Sequence, residues 1–511
     1  MPSNKLPVFT YLAILSFLLL PAASFGAEVT YSLEPYSGFT PSAVNNDGVV
    51  VGTGTVDANP RSFYWTPETG AVRFEASHAY KYWANDINDS GLICGNTQYI
   101  PGAGGNVSAF VYDMHSGEYI SLGYPSSQDY DYMASAYTIA ERSDLLIGGR
   151  RRWTYNYAGT LFTAAGAILQ KAGSGAASPT TIGGTSDVYG ITSDGKLAGR
   201  INSSDAFYRD GTTVHTLPGL TTGATEVVSD MNESGTISGY ADNADGVERA
   251  VTWVRSEAPT DLGVLANTHA APGSQNSRAY EINRYGQVVG WSQLWLDGVS
   301  HRQTHAFVYQ DGVMRDLNDL VPTGTPLLTY AYAINDKGQI ATEDGLLTPH
   351  YVADAGFDSG TLGDWTQATA TGTVGFTTDP EDTANTVLSL TTGSPVAAAQ
   401  VVDTPNQPFI VEFDYRFDDL VGELTVSVNG HDLLPSVSPV STEWMHAERL
   451  VNAPALMGLD DVSLQFYLDT AVGSSTVLLD NVAITPVPEP VSAVVLLVGL
   501  PAIIRRRRSK R

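Results

Sequence analysis

Apolar and polar positions alternate over short stretches through most of the chain, and the alternation returns in a recurring phrase. Its clearest copy is Ala279-Tyr280-Glu281-Ile282-Asn283-Arg284-Tyr285-Gly286-Gln287-Val288-Val289-Gly290. Close copies run from Ala84 to Gly95, from Val228 to Gly239 and from Ala331 onward; looser ones span Ala43 to Gly52, Ala136 to Gly148 and Val188 to Gly199. Seven copies at a period of about 48 residues predict a repeat architecture. The third copy is the most degraded, with Glu141-Arg142-Ser143-Asp144 in place of the turn.

Each unit carries a second phrase, best seen as His305-Ala306-Phe307-Val308-Tyr309-Gln310-Asp311-Gly312, with relatives at Phe63-Tyr64-Trp65, Phe110-Val111-Tyr112, Phe207-Tyr208 and Val251-Thr252-Trp253. Asn-x-x-Gly suits a tight turn, because Asn bonds its own backbone and Gly accepts a positive φ, and Asp311-Gly312 marks a hairpin. Four short antiparallel strands per unit is the pattern of a β-propeller blade. The seventh unit stops after three strands, while Val29 to Glu34 forms an unattached strand before the first unit. Residues 27–352 are therefore expected to form a seven-bladed β-propeller whose first strand completes the last blade. An open β-solenoid is the alternative. The aromatic residues at repeated positions, Trp65, Tyr112, Trp253 and Tyr309, are expected to pack between blades.

Beyond Val352 the repeat ends. Alternating stretches such as Phe409 to Phe417, Glu423 to Val428 and Val462 to Leu468 predict a β-sandwich over residues 353–486. The fold class expected for the whole is all-β, a seven-bladed β-propeller followed by a jelly-roll-like β-sandwich, with helical segments only at the two ends.

Those ends carry targeting signals. Lys5, the apolar run Val8 to Leu20 and the small residues Ser24 and Gly26 make residues 1–26 a secretory signal, cut before Ala27. At the other end, Pro488-Glu489-Pro490 precedes an apolar run from Val491 to Ile504, broken by Pro501, and then Arg505, Arg506, Arg507 and Arg508. That run is shorter than the roughly 20 residues of a full membrane span. Its basic flank is of the kind retained on the cytoplasmic side.

The order of these pieces over residues 487–511 resembles the PEP-CTERM sorting signal. The resemblance implies an exosortase-type processing partner, transient anchoring in the inner membrane, and delivery to the cell surface or exopolysaccharide matrix. A permanent C-terminal anchor is the plainer reading. The repeat phrases, with His305-Ala306-Phe307, resemble the extracellular HAF repeat family. The phrases that open and close the sandwich, Gly356 to Trp365 and Val477 to Ile484, look like those of jelly-roll carbohydrate-binding modules. That likeness implies a structural calcium with Asp358 and Asp480 as ligands, a cation that carboxylate oxygens suit.

Charge narrows the partners. The chain carries 27 Lys and Arg against 54 Asp and Glu, a net charge of −27, and the balance is more acidic once Lys5 and the C-terminal cations are set aside. Such a surface repels nucleic acid and anionic lipid. Cys94 is the only cysteine, which excludes an intramolecular disulfide, and its apolar neighbours Leu92 and Ile93 mark it as a buried residue.

No nucleophile elbow, phosphate loop or zinc motif occurs between the ends, and His301 and His305, four apart, lead into a strand rather than a helix. Adjacent carboxylates, and the Asp residues that follow Asn (Asp89, Asp336), are accounted for by turns. The aromatic clusters outside the repeated strands supply candidate ligand contacts: Tyr82 and Trp83, Tyr130 and Tyr132, Trp153 and Tyr155. The resulting expectation is a non-enzymatic surface or matrix protein that binds polysaccharide or a protein partner. The alternative is a secreted glycan-active hydrolase using paired carboxylates on the propeller.

Overall fold

The computed structural model describes residues 29–487, apart from 76–79, 100–106, 122–130, 142–145, 154, 158–159, 163–166, 171–177, 182–185, 202–204, 267–273, 296–301, 353–354, 358–364, 370–371, 384, 393–394, 419–420, 435–441, 460 and 470–474, and adds 503–506. The predicted signal peptide and Pro488-Glu489-Pro490, Arg507 and Arg508 lie outside the described residues. Ile503–Arg506 forms a short strand beside Met445–Val451, which corrects the expected helix at Ile503 and Ile504, the end of the apolar run. No described helix is long and apolar enough to cross a membrane.

The chain is all-β. Seven four-stranded antiparallel sheets follow one another along the repeat region. In the sixth the order is Ser277–Ile282, Val288–Leu294, Gln303–Gln310 and Val313–Asp316. The first phrase supplies the first two strands and their turn, and the second phrase the third strand. Gly286 sits at φ 83° in that turn, a conformation costly for any residue with a Cβ. Asn283 Oδ1 accepts hydrogen bonds from the Tyr285 and Gln287 amides. The seventh sheet is built differently: Ala331–Ile334, Ile340–Thr342 and Gly345–His350 are joined by Thr30–Pro35, which pairs antiparallel with Gly345–His350 and puts Leu33 opposite Leu347.

One irregularity is common to all seven sheets. The first strand bulges one residue after the phrase begins, between Ala84 and Asp86, Val228 and Asp230, Ala279 and Glu281, and at the equivalent places of the other four. A bulge re-aims a side chain and strengthens the local twist. It also explains the closing glycine of the phrase, since a Cβ on Gly290 would lie 2.0 Å from the Arg278 carbonyl oxygen.

Apolar residues gather between successive sheets rather than in one central core. Val51, Phe74, Tyr82 and Phe110 fill the seam between the first and second sheets. Ala198, Tyr208, Val228 and Trp253 fill that between the fourth and fifth. Similar clusters occupy the remaining seams, including one from Phe39, Val50 and Trp65 to Ala333, Ala341 and Leu346, which joins the first sheet to the seventh. Trp65 and Trp253 thus pack between sheets as their repeated positions predict. Cys94 is buried in the seam between the second and third sheets, and burial holds its thiol pKa well above the ordinary value. The folded protein is expected to resist thiol reagents that need the thiolate, reacting only after urea is added. Prompt labelling of the native chain would contradict this placement.

After His350 the chain enters a β-sandwich of one five-stranded and one six-stranded sheet. Phe413 of one sheet meets Phe466 of the other edge to face, with ring centroids 5.0 Å apart. Tyr351 and Val352 already belong to this core, so the sandwich begins slightly before the expected boundary. Gln407 Nε2 donates to the Asp336 carbonyl at 2.6 Å and ties the sandwich to the turn of the seventh sheet.

Candidate functional site

All seven sheets contribute to one cavity of about 120 Å³, lined by residues of the phrase turns and the bulged strands. The bulges turn into it the side chain two positions before Asn88, Asn232 and Asn283, and the equivalent Thr138. In three repeats that residue is acidic: Asp86, Asp230 and Glu281. Each reaches the next sheet, where the Ile139 amide donates to Asp86 Oδ2 at 2.9 Å, Ile282 to Asp230 Oδ2 at 3.2 Å, and Ile334 to Glu281 Oε2 at 2.6 Å.

A second tier is formed by the residues just after the Asn positions. The Asn46 amide donates to Asp89 Oδ1 at 2.8 Å and the Asp89 amide to Glu141 Oε2 at 2.9 Å. Ser193 donates through its amide and hydroxyl to Glu233, and the Arg284 amide to Asp336 Oδ1 at 2.9 Å. Asp336 in turn donates its amide to Asn46 Oδ1 at 2.8 Å, across 290 residues of sequence. The asparagines run a parallel relay: Nδ2 of Asn45, Asn88, Asn232, Asn283 and Asn335 donates to a carbonyl of the next sheet, Asn335 returning to Asn45.

Convergence of carboxylates in a confined space disfavours their charged forms. Burial raises the Asp86 pKa to about 7 and that of Asp230 to about 6. Burial, followed by the neighbouring Asp89 charge, raises Glu141 to about 8. Glu281 is pushed well above its ordinary range, first by burial and then by Asp230. Arg284 is the cation among the lining residues, 3.6 Å from Asp336.

The sequence expectations meet this structure unevenly. Asp89 and Asp336 do sit in turns, but their carboxylates bind the neighbouring sheet, so a local turn is not their full account. Tyr82 is corrected: it lies on the strand Tyr80–Ile87, 1 % exposed, against Phe110 and Tyr119, and is closed to a ligand. Trp83, on the same strand, is half-buried. Tyr132 and Trp153 lie in paired strands of the third sheet, and Tyr155 in a two-stranded ribbon with Thr160–Phe162, rather than in loops. Tyr130 lies outside the described residues. His305 Nδ1 bonds Asp316 Oδ2 at 2.6 Å within its own sheet, and His301 lies outside the described residues.

In the sandwich, Asp358, the first of the two residues that the module likeness implies as calcium ligands, lies outside the described residues. Asp480 is buried on Ser475–Pro486, where it accepts from Asn385 Nδ2 at 3.1 Å and from the Asn481 amide at 2.8 Å.

No family model and no curated protein matches the chain. Among solved structures it is similar to an exo-β-1,3-galactanase from Phanerochaete chrysosporium, at 12% identity over 88% of this chain and 98% of that one, with a TM-score of 0.25. It is also similar to TmCBM61 in complex with β-1,4-galactotriose, at 14% identity over 26% of this chain and 97% of that one, TM-score 0.21. A third match is the enzymatically active domain of bacteriophage CBA120 tailspike protein 4, at 17% identity over 26% of this chain, TM-score 0.22; this chain spans 21% of that domain's length.

Proposed function

We propose that the chain is an exported, non-enzymatic surface or matrix protein, a seven-bladed β-propeller with a jelly-roll-like sandwich, that binds extracellular polysaccharide or a protein partner. The observation that carries the non-enzymatic reading is the use made of the cavity carboxylates. Each is committed to a backbone amide of the adjacent sheet, in a space well under the roughly 300–1,000 Å³ of small-molecule sites. A glycan hydrolase needs two carboxyl groups about 5–10 Å apart with a sugar between them. Here the acidic groups act as clasps between blades. The return of the asparagine relay and of the apolar seams from seventh sheet to first favours a closed propeller over an open solenoid.

Export rests on the two ends, with the Pro-Glu-Pro, apolar and arginine sequence as the address read by an exosortase-type enzyme after transient anchoring in the membrane. Binding of residues 27–486 to a glycan array, with and without calcium, tests the ligand. Retention of a polysaccharide without release of reducing ends is the expected result. Hydrolysis lost on substituting Glu281 would overturn the non-enzymatic reading.

A further inference from the structure

We propose that Glu412, His446 and Glu448 form a binding site for one divalent transition-metal ion of the zinc type on the outer face of the six-stranded sheet. Strand alternation places them there. In Phe409–Phe417 the residues Val411, Phe413 and Tyr415 enter the core, which turns Glu412 and Asp414 outward; in Met445–Val451, Ala447 and Val451 enter it, which turns His446 and Glu448 outward. The register sets Glu412 opposite Glu448 and Asp414 opposite His446. Four ionisable groups thus form a square on one face.

The distances separate two roles for the imidazole. Nδ1 lies 2.9 Å from Asp414 Oδ1, a hydrogen bond. Nε2 lies 3.7 Å from Glu412 Oε2 and 3.7 Å from Glu448 Oε2, too far for a hydrogen bond to either. Two ligand atoms each about 2.1 Å from one tetrahedral ion stand about 3.4 Å apart, so the observed spacing suits a shared ion after a small contraction. One ligand atom from each of the three residues falls within 4.8 Å of the others. Like charges directly opposed across a strand pair are destabilising, and a cation between Glu412 and Glu448 reverses that sign.

Asp414 is a positioning residue. It is buried and accepts a hydrogen bond from Asn481 Nδ2 at 2.9 Å, and in the tautomer that also donates to it from His446 Nδ1 the Nε2 lone pair faces the two glutamates. Carboxylate support of a metal-binding histidine has this form. An imidazole nitrogen beside two carboxylates favours zinc or manganese over calcium, which takes oxygen ligands. The three residues are half-buried, which leaves the remaining coordination positions open to water or an external ligand.

The test is equilibrium dialysis of the full chain against micromolar zinc, followed by the visible absorption spectrum of the cobalt form. One ion per chain is expected. H446Q and E448Q are each expected to weaken binding by about tenfold or more, D414N by about 10–100-fold, and H431A, which removes an exposed histidine elsewhere on the sandwich, not at all. Melting curves without metal show whether each variant is folded; if H446Q is not, E448Q carries the same reading. No ion retained at micromolar zinc, or an ion whose affinity and cobalt spectrum are unchanged in E448Q and D414N, would overturn the proposal.

Discussion

Replacing Glu141 by glutamine is expected to stabilise the chain at pH 8.5 and to change little at pH 4. The native state raises this carboxyl from 4.5 to about 8, by burial and then by the nearby Asp89 charge. Below the unfolded pKa the group is neutral in both states, so glutamine and glutamic acid are equivalent there. As pH rises from about 4.5 through 8, the unfolded chain ionises freely while the folded one resists, and stability is lost over that window. At about 1.36 kcal/mol per pKa unit, the loss at high pH is on the order of 3–5 kcal/mol. Glutamine keeps a carbonyl oxygen for the Asp89 amide and carries no charge to desolvate.

Asp86 and Asp230 add loss of the same sign between their unfolded values near 3.8 and their folded values of about 7 and 6. Asp187 works in the other direction. Against its own burial, hydrogen bonds from Arg150 and Arg200 hold it below the ordinary carboxylate range. Its contribution is present above pH 3.8 and disappears as pH falls through the lowered folded value. The native chain is therefore expected to be most stable near pH 4–5. Urea midpoints at pH 4.5, 6.5 and 8.5 for the native chain and E141Q check both statements. A native midpoint that climbs with pH, or an E141Q chain no more stable than native at pH 8.5, would refute them.

The second large effect concerns the first strand. A chain that begins at Tyr36 lacks Thr30–Pro35 and leaves Gly345–His350 as an open edge. It also loses Tyr31, buried in the seam of the sixth and seventh sheets, whose amide donates to the Leu320 carbonyl at 2.8 Å. Truncating one large buried aromatic side chain typically costs about 3–5 kcal/mol, and here a ladder of backbone bonds goes with it. The exposed edge is a template for pairing between chains. The expected outcome is a sharply lower urea midpoint with association on size exclusion, and partial recovery when a peptide of residues 27–35 is supplied. An unchanged midpoint would mean that the strand decorates the seventh sheet without holding it.

The repeat was legible because each copy solves the same local problem with the same residues. Asn283 and Gly286 make a turn that nothing distant is needed to explain, and the missing fourth strand of the seventh unit pointed to its replacement at the chain's start. The carboxylate cavity was not legible in the same way. Asp89 and Asp336 are adequate turn residues locally, and their contacts lie about 50 residues away in sequence or across the whole repeat region. A faint signal did exist, since acidic residues recur two positions before Asn at Asp86, Asp230 and Glu281. Glu141 was hidden in the most degraded turn, where its meaning depends on a neighbour's amide.

Tyr82 does not face a ligand because strand geometry, which composition does not carry, decides where it points. Tyr80 to Trp83 form part of a strand, where alternate side chains face opposite sides, so Tyr82 is core. In the sandwich, the alternation of Phe409 to Phe417 exposes Glu412 and Asp414 to inspection. Which residues they meet depends on register with Met445–Val451, and register is set by the packed core and not by either strand alone.

The asparagine relay also makes the repeats unequal under load. Ala140 and Thr192 stand where other repeats place Asn, and neither has a carboxamide to pass a bond onward. At the border of the third and fourth sheets, among the described residues, the apolar seam is supplemented by Arg150, which reaches across to Asp187, and by Tyr137 against Tyr189 at 5.2 Å. An ion pair answers to salt and acid as a carboxamide does not. Acid and high salt are therefore expected to loosen the border of the third and fourth sheets more than the borders bridged by asparagine.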